Sequence, residues 1–196
     1  MGIDRAALVS RHNPALTALD PYTPLSLGNG DFAFTADVTG LQTFLPRDEG
    51  ATPLSTMAQW GFHSFGPRRR APRREDLRLA RFDAGGRAVG YMTDPEGQEE
   101  LFSELRINPH RLNLARLAFV CTAGAGGVAE YREFEPRELG EVRQVLDLWR
   151  GSLTSSCLLA GAALRTGTAV HPGRDLLSLR SESAALGEGR LGVLLA

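Results

Sequence analysis

The stretch "STMAQWGFHSF" sets Trp60, Phe62 and Phe65 beside Gln59, His63 and Ser64. Flat apolar rings next to amide, imidazole and hydroxyl groups suit a sugar. Pyranose CH faces pack on the rings and the hydroxyls reach the polar groups, the combination of apolar wall and few polar groups that small-molecule sites use. The competing reading makes Trp60 and Phe62 ordinary core anchors, and the sequence leaves both open.

A second pattern suggests nucleotide chemistry. Gly28, Gly30 and Ala33 in "LSLGNGDFAFTADVTG" fit the loose G-x-G-x-x-A fingerprint of a dinucleotide site, and Asp48 follows about 20 residues later. The fingerprint works only where the glycines follow a buried strand and open a helix, whose first amides receive the pyrophosphate. Here Pro14, Pro21 and Pro24 come first, each removing a ladder donor. Phe32, Phe34, Ala36 and Val38 then alternate with Asp31, Ala33, Thr35 and Asp37 at the period of a half-buried strand. Asn29-Gly30 is also a favoured pair for a type I′ hairpin turn. The stretch reads as turn plus strand, and no cofactor is expected.

No G-x-S-x-G elbow, H-E-x-x-H helix or Walker loop occurs. His12, His63, His110 and His171 are scattered, and three adjoin a proline or an Asn-Pro pair, so they read as turn and loop residues with no metal site. Glu133, Glu135 and Glu138 form the densest carboxylate cluster, yet "EYREFEPREL" reads as an edge or turn, and no catalytic residue is assigned. The chain contains no lysine, which excludes Schiff-base, P-loop-lysine and lysine-base chemistry. Cys121 and Cys157 each sit in an apolar or small-residue strand and read as buried free thiols.

The elements that must position these residues are strands. A chain of 196 residues with 42% hydrophobic and 23% charged residues is long and apolar enough for one domain with a substantial core. From Arg132 onward, apolar runs such as "VRQVLDLWRG", "SLTSSCLLAG" and "LLSLRSES" end in Gly- or Pro-containing turns about ten residues apart, the signal of an antiparallel meander. Val142, Gln144, Leu146 and Leu148 share one face, and Arg143, Val145, Asp147 and Trp149 share another that is partly covered. "RLNLARLAFVCTAG", between Pro109 and a glycine cluster, reads as a strand, and "PEGQEELFSELRI" as a short helix. The fold expected is an all-β antiparallel sandwich spanning 1–196 as one domain, with one or two short helices. Residues 66–80 form an Arg- and Pro-rich loop within it, where Arg68, Arg69, Arg70, Arg73, Arg74 and Arg78 read as a solvated face, not a nucleic-acid patch, because no aromatics are interleaved.

Net charge of -1 gives no field for nucleic acid or an anionic membrane, and no run of about 18 apolar residues or signal peptide is present. The expectation is a soluble, cytoplasmic protein.

Five stretches together resemble the amino-terminal region of bacterial six-hairpin glycosidase-like proteins, of the architecture shared by kojibiose and maltose phosphorylases and glucoamylases. They are "SRHNPALTALDPYTPLSLGNGDFAFTADVTGLQTF", "PLSTMAQWGFHSF", "RINPHRLNLARLAFV", "LDLWRGSLTSSCLLAG" and "HPGRDLLSLRSES". The resemblance runs from about Ser10 to the end, with a gap over the Arg-rich loop. It implies a β-supersandwich joined to an (α/α)6 toroid that carries the catalytic Glu and its partner base. The chain stops at "GRLGVLLA" within what reads as a strand, so the toroid is expected further along a longer parent chain. Inversion needs two carboxylates apart across the glycosidic bond, so this region is expected to be a non-catalytic scaffold whose partners are the toroid and carbohydrate. Its rim residues would be Gln59, Trp60, Phe62 and His63, contacting substrate without catalysing. A sheet face left without its toroid is expected to be covered by aggregation or by dimerisation into a homodimer. The alternatives are a free-standing carbohydrate-binding or protein-interaction sandwich and, after it, a nucleotide-dependent enzyme built on Gly28 to Ala33.

Overall fold

The computed structural model describes residues 2–66, 73–107, 109–122 and 131–196. The elements run in chain order as α1 (Arg5–Ser10), β1 (Ala15–Leu16), β2 (Leu25–Gly28), β3 (Phe32–Ala36) and β4 (Thr56–Ala58). There follow β5 (Phe62–His63), β6 (Ala80–Asp83), β7 (Ala88–Tyr91), α2 (Glu99–Ile107) and β8 (His110–Arg111). The last stretch holds β9 (Leu117–Thr122), β10 (Tyr131–Glu133), β11 (Leu139–Asp147), β12 (Ser152–Leu159), β13 (Ala162–Val170), β14 (Leu177–Glu182), α3 (Ala184–Gly187) and β15 (Leu191–Leu195). The fold is all-β, antiparallel and sandwich-like, with a few short helices. The helix expected in "PEGQEELFSELRI" is α2; α1 and α3 are pieces of fewer than two turns capped by Asp4 and Ser183.

The chain forms two compact units, residues 1–59 with 113–196, and residues 60–112. In the first, a five-stranded sheet of order β1-β11-β12-β13-β14 accompanies two three-stranded sheets, β10-β9-β15 and β2-β3-β4. The meander read from the sequence is the run β11 to β14. Period-2 alternation places Leu153, Ser155, Cys157 and Leu159 of β12, and Leu164, Thr166 and Thr168 of β13, on the buried face. Phe32, Phe34 and Ala36 of β3 and Phe119 of β9 complete the same core. On β11, Gln144 is fully buried and Leu146 half-buried, as the alternation predicts. Trp149 departs from that reading: β11 ends at Asp147, whose carboxylate accepts from the Trp149 and Arg150 amides, and the indole stands exposed on the resulting turn.

The Gly28–Ala33 segment is a hairpin, β2 pairing with β3 from Leu25↔Ala36 to Gly28↔Ala33. A strand, not a helix, follows the glycines, so the dinucleotide fingerprint lacks its pyrophosphate-binding amides. The turn is not type I′, because Gly30 (φ 100°) has a positive φ and Asn29 does not. Asn29 acts through its side chain instead. Its Oδ1 accepts from the Asp31 and Phe32 amides at 3.0 and 2.8 Å, and its Nδ2 donates to the His171 and Arg174 carbonyls, both at 3.0 Å.

The alternation expected through Val38 stops at Ala36. Asp37 captures the chain into a buried loop, where its Oδ1 accepts from the Thr39 amide (2.7 Å) and hydroxyl (2.6 Å) and its Oδ2 accepts from the Phe44 amide (2.6 Å). Gln144 of β11 donates to the Asp37 carbonyl at 2.6 Å, and Thr168 of β13 donates to the Gly40 carbonyl at 2.8 Å. The Gln42 side chain donates to the Thr35 carbonyl and accepts from the Leu117 amide. One loop thus fastens the strands of three sheets through buried polar groups, of which Gln144 Oε1 has no partner among the described residues.

The second unit comprises the two-stranded ribbons β5-β8 and β6-β7 together with α2. Arg68, Arg69 and Arg70 of the Arg-rich loop lie outside the described residues, as does the glycine cluster 124–127. At the end of the loop Arg78 pairs with Asp94 at 3.5 Å and donates to the Glu96 carbonyl. Among the described residues, no helix is long and apolar enough to cross a membrane.

Candidate aromatic binding surface

The ribbon β5-β8 has two registered pairs, Phe62↔Arg111 and His63↔His110, and the Leu112 amide continues the ladder by donating to the Gly61 carbonyl at 2.9 Å. Directly opposed residues of an antiparallel pair share a face and sequence neighbours take opposite ones. Phe62 therefore goes with Arg111, whose guanidinium lies over the Phe62 ring at 5.6 Å. His63 goes with His110 on the other face, where the Phe65 ring meets His63 edge-on at 4.5 Å and His110 at 6.4 Å. Trp60 occupies the turn before β5, and its carbonyl accepts from the Phe62 amide at 3.0 Å.

Trp60 is 65% exposed, Phe62 48% and Phe65 52%. The core-anchor reading of Trp60 and Phe62 is overturned, since neither ring is buried. Of the four candidates, Trp60, Phe62 and His63 lie in the second unit with Phe62 and His63 facing opposite ways, while Gln59 belongs to the first unit, its backbone N–H donating to the Asp31 carbonyl at 2.7 Å.

What the structure adds lies beyond Phe65. A groove of about 710 Å³ is lined by Phe65, Gly66, Glu99, Glu100, Ser103, Glu104 and Ile107. Glu100, Ser103, Glu104 and Ile107 recur at i, i+3, i+4 and i+7, so α2 turns them to one side. The groove thus has an aromatic wall from one segment and a wall of carboxylates and a hydroxyl from a helix. Glu99 is held ionised below the usual carboxylate range by hydrogen bonds from its own amide and that of Gly97, the latter at 2.8 Å. The helical spacing of these acids is present in the sequence, but their position opposite Phe65 is not.

The cluster Glu133, Glu135 and Glu138 is structural, as its reading as a turn implies. Glu138 takes both forks of Arg132 at 2.7 and 2.8 Å and accepts from the Glu135 amide, capping a 3-10 turn, residues 136–138. The Arg132 hydrogen bonds, with that amide, hold the Glu138 carboxyl down at about 2. Glu133 pairs with Arg116, and Glu135 with Arg137 at 2.8 Å. Each acid is paired with a guanidinium.

Both cysteines are free, Cys157 buried and Cys121 half-buried. Burial, reinforced by the Asp37 carboxylate, pushes the Cys157 thiol up to about 11, away from nucleophilic use. Among the described residues, no group of three His, Cys, Asp or Glu could hold a metal ion.

No protein-family model matches the chain, and no curated protein or solved structure matches it either.

Proposed function

We propose that this chain is the non-catalytic β-sandwich part of a carbohydrate-active enzyme, a glycoside hydrolase or phosphorylase, and that it scaffolds an (α/α)6 catalytic domain. Its aromatic ribbon then contacts the sugar, with Trp60, Phe62 and His63 joined by Phe65 and the acid-bearing face of α2. The observation that supports this reading is the exposure of three large rings within six residues of sequence, beside imidazole, guanidinium and carboxylate groups. Rings on a solvent-facing ribbon add nothing to a core and suit a ligand with apolar faces and hydroxyl edges.

A second reading, a free-standing carbohydrate-binding sandwich, is favoured by one observation. The groove and the ribbon rings all belong to the unit 60–112, so they need no residue from another domain.

Tryptophan fluorescence separates the two. Trp60 and Trp149 are the only tryptophans, so Trp149→Phe leaves Trp60 as sole reporter. Titration of that variant with mono- and disaccharides gives a saturable change if the chain binds sugar by itself. A flat response removes the free-standing module. The scaffold reading then rests on Trp60→Ala in the parent enzyme, where a raised KM with kcat kept supports a rim contact and unchanged kinetics refute it.

A further inference from the structure

The outward face of the five-stranded sheet carries a pattern that the sugar reading does not use. Cross-strand register aligns Arg143, Ser156, Arg165 and Glu182 in one row, and Val145, Thr154, Gly167 and Arg180 in the next. These are the partners, one residue over, of the buried Gln144, Ser155 and Thr166, so they point away from the core. Two adjoining grooves of about 200 and 360 Å³ run across this face. Arg143, Val145, Thr154, Ser156 and Arg165 line the first; Thr154 and Arg165 continue into the second with Gly167, Arg180 and Glu182.

We propose that this face binds a phosphate group, held between the Arg143 and Arg165 guanidiniums over the hydroxyls of Ser156 and Thr154. Arg180 and Glu182 neutralise each other through a 2.7 Å ion pair, whereas among the described residues Arg143 and Arg165 form none. Glu141 lines a neighbouring cleft with Ser156 and Arg165, so the anion sits on the Thr154 side, in the two grooves that Glu141 does not line. The donors fix the ligand class. One Arg fork suffices for a planar carboxylate, but two guanidiniums two strands apart, roughly 10 Å at the backbone, with hydroxyls beneath, match a tetrahedral anion with several acceptor oxygens.

Gly167 makes the recess. A Cβ there meets nothing within 4 Å, and its backbone is ordinary strand, so glycine is not required by conformation. Space over the sheet is what its missing side chain provides.

The test uses the full chain, inorganic phosphate as probe, and calorimetry with amide chemical-shift mapping at constant ionic strength. Thermal shift is unsuitable, because phosphate stabilises folded proteins by exclusion. The expected result is saturable binding that perturbs Thr154, Arg165 and Gly167. Arg165→Gln and Gly167→Val should each weaken it roughly tenfold or more, with Trp60→Ala without effect, which keeps this site separate from the sugar surface. A phosphorylated hexose run alongside distinguishes a phosphate ester, if it binds more tightly, from the free ion. No saturable binding, equal binding of chloride, or affinity retained in Arg165→Gln overturns the proposal. Should Gly167→Val fail to fold, Arg143→Gln takes its place.

Discussion

Replacing Asp37 by Ala tests whether the buried loop 37–44 is held by this one carboxylate. The side chain is 3% exposed and serves the Thr39 amide and hydroxyl through one oxygen and the Phe44 amide through the other. Alanine strands two buried amides, at about 1–3 kcal/mol each. The Thr39 hydroxyl is less affected, since it lies 2.9 Å from the Thr43 hydroxyl. The expected loss is therefore about 4 kcal/mol, a large share of the roughly 5–15 kcal/mol of a whole domain. Asp37→Asn keeps the Thr39 bonds but opposes an amide N–H with an NH2, so its loss is smaller and relieved in part by removal of a buried charge. Urea unfolding at pH 7 measures both, with the slope checked for constancy.

The same carboxylate sets a pH dependence. Burial pushes it above its ordinary value, against the hydrogen bonds from Phe44, Thr39 and Thr43 that pull it down. A group raised on folding binds its proton more tightly in the native state. Its contribution is fully present below the unfolded value near 4 and is lost as pH rises through the folded one. Asp37→Asn should abolish that component of the stability profile. A loss under about 1 kcal/mol for Asp37→Ala, or an identical profile in Asp37→Asn, would refute the account.

Thr166 is fully buried and its hydroxyl has no hydrogen-bond partner among the described residues, so Thr166→Val should leave stability unchanged or raise it by up to about 1 kcal/mol in urea unfolding. Cys157, buried and with a thiol raised to about 11, should resist iodoacetamide at pH 8 until the chain unfolds, while half-buried Cys121 reacts first; peptide mass spectrometry of a time course reads the order. Glu138, depressed to about 2 by Arg132, contributes stability that is complete above its unfolded value near 4.5 and lost as pH falls through about 2. Glu138→Gln should flatten the acid limb and lower stability at pH 7 by that same amount, kept modest because Arg132 is more than half exposed.

Local rules were enough for much of this molecule. Strand period and turn spacing marked β11 to β14, because one sheet face buries Leu153, Leu159 and Leu164 and the other meets solvent. The helix α2 followed from its Glu, Leu and Gln content and lack of β-branched residues. Gly28–Ala33 was legible as a hairpin for the same reason, since alternation and proline placement are properties of neighbours in sequence.

Tertiary partners decided the rest. Alternation continues through Val38 in the sequence, but Asp37 leaves the strand because Gln144, about a hundred residues away, takes its carbonyl. Asn29 escapes the I′ turn because His171 and Arg174 accept from its amide. An indole looks the same in sequence whether it faces core or solvent; Trp60 stands on the turn before β5 and is exposed. The window 59–63 set the candidate residues side by side, yet pleating turned Phe62 and His63 apart, and it is Phe65 that lines a groove with α2. Periodicity fixes which way a side chain points along its own strand, whereas what it points at depends on segments far away in the chain, and that second quantity is what makes a site.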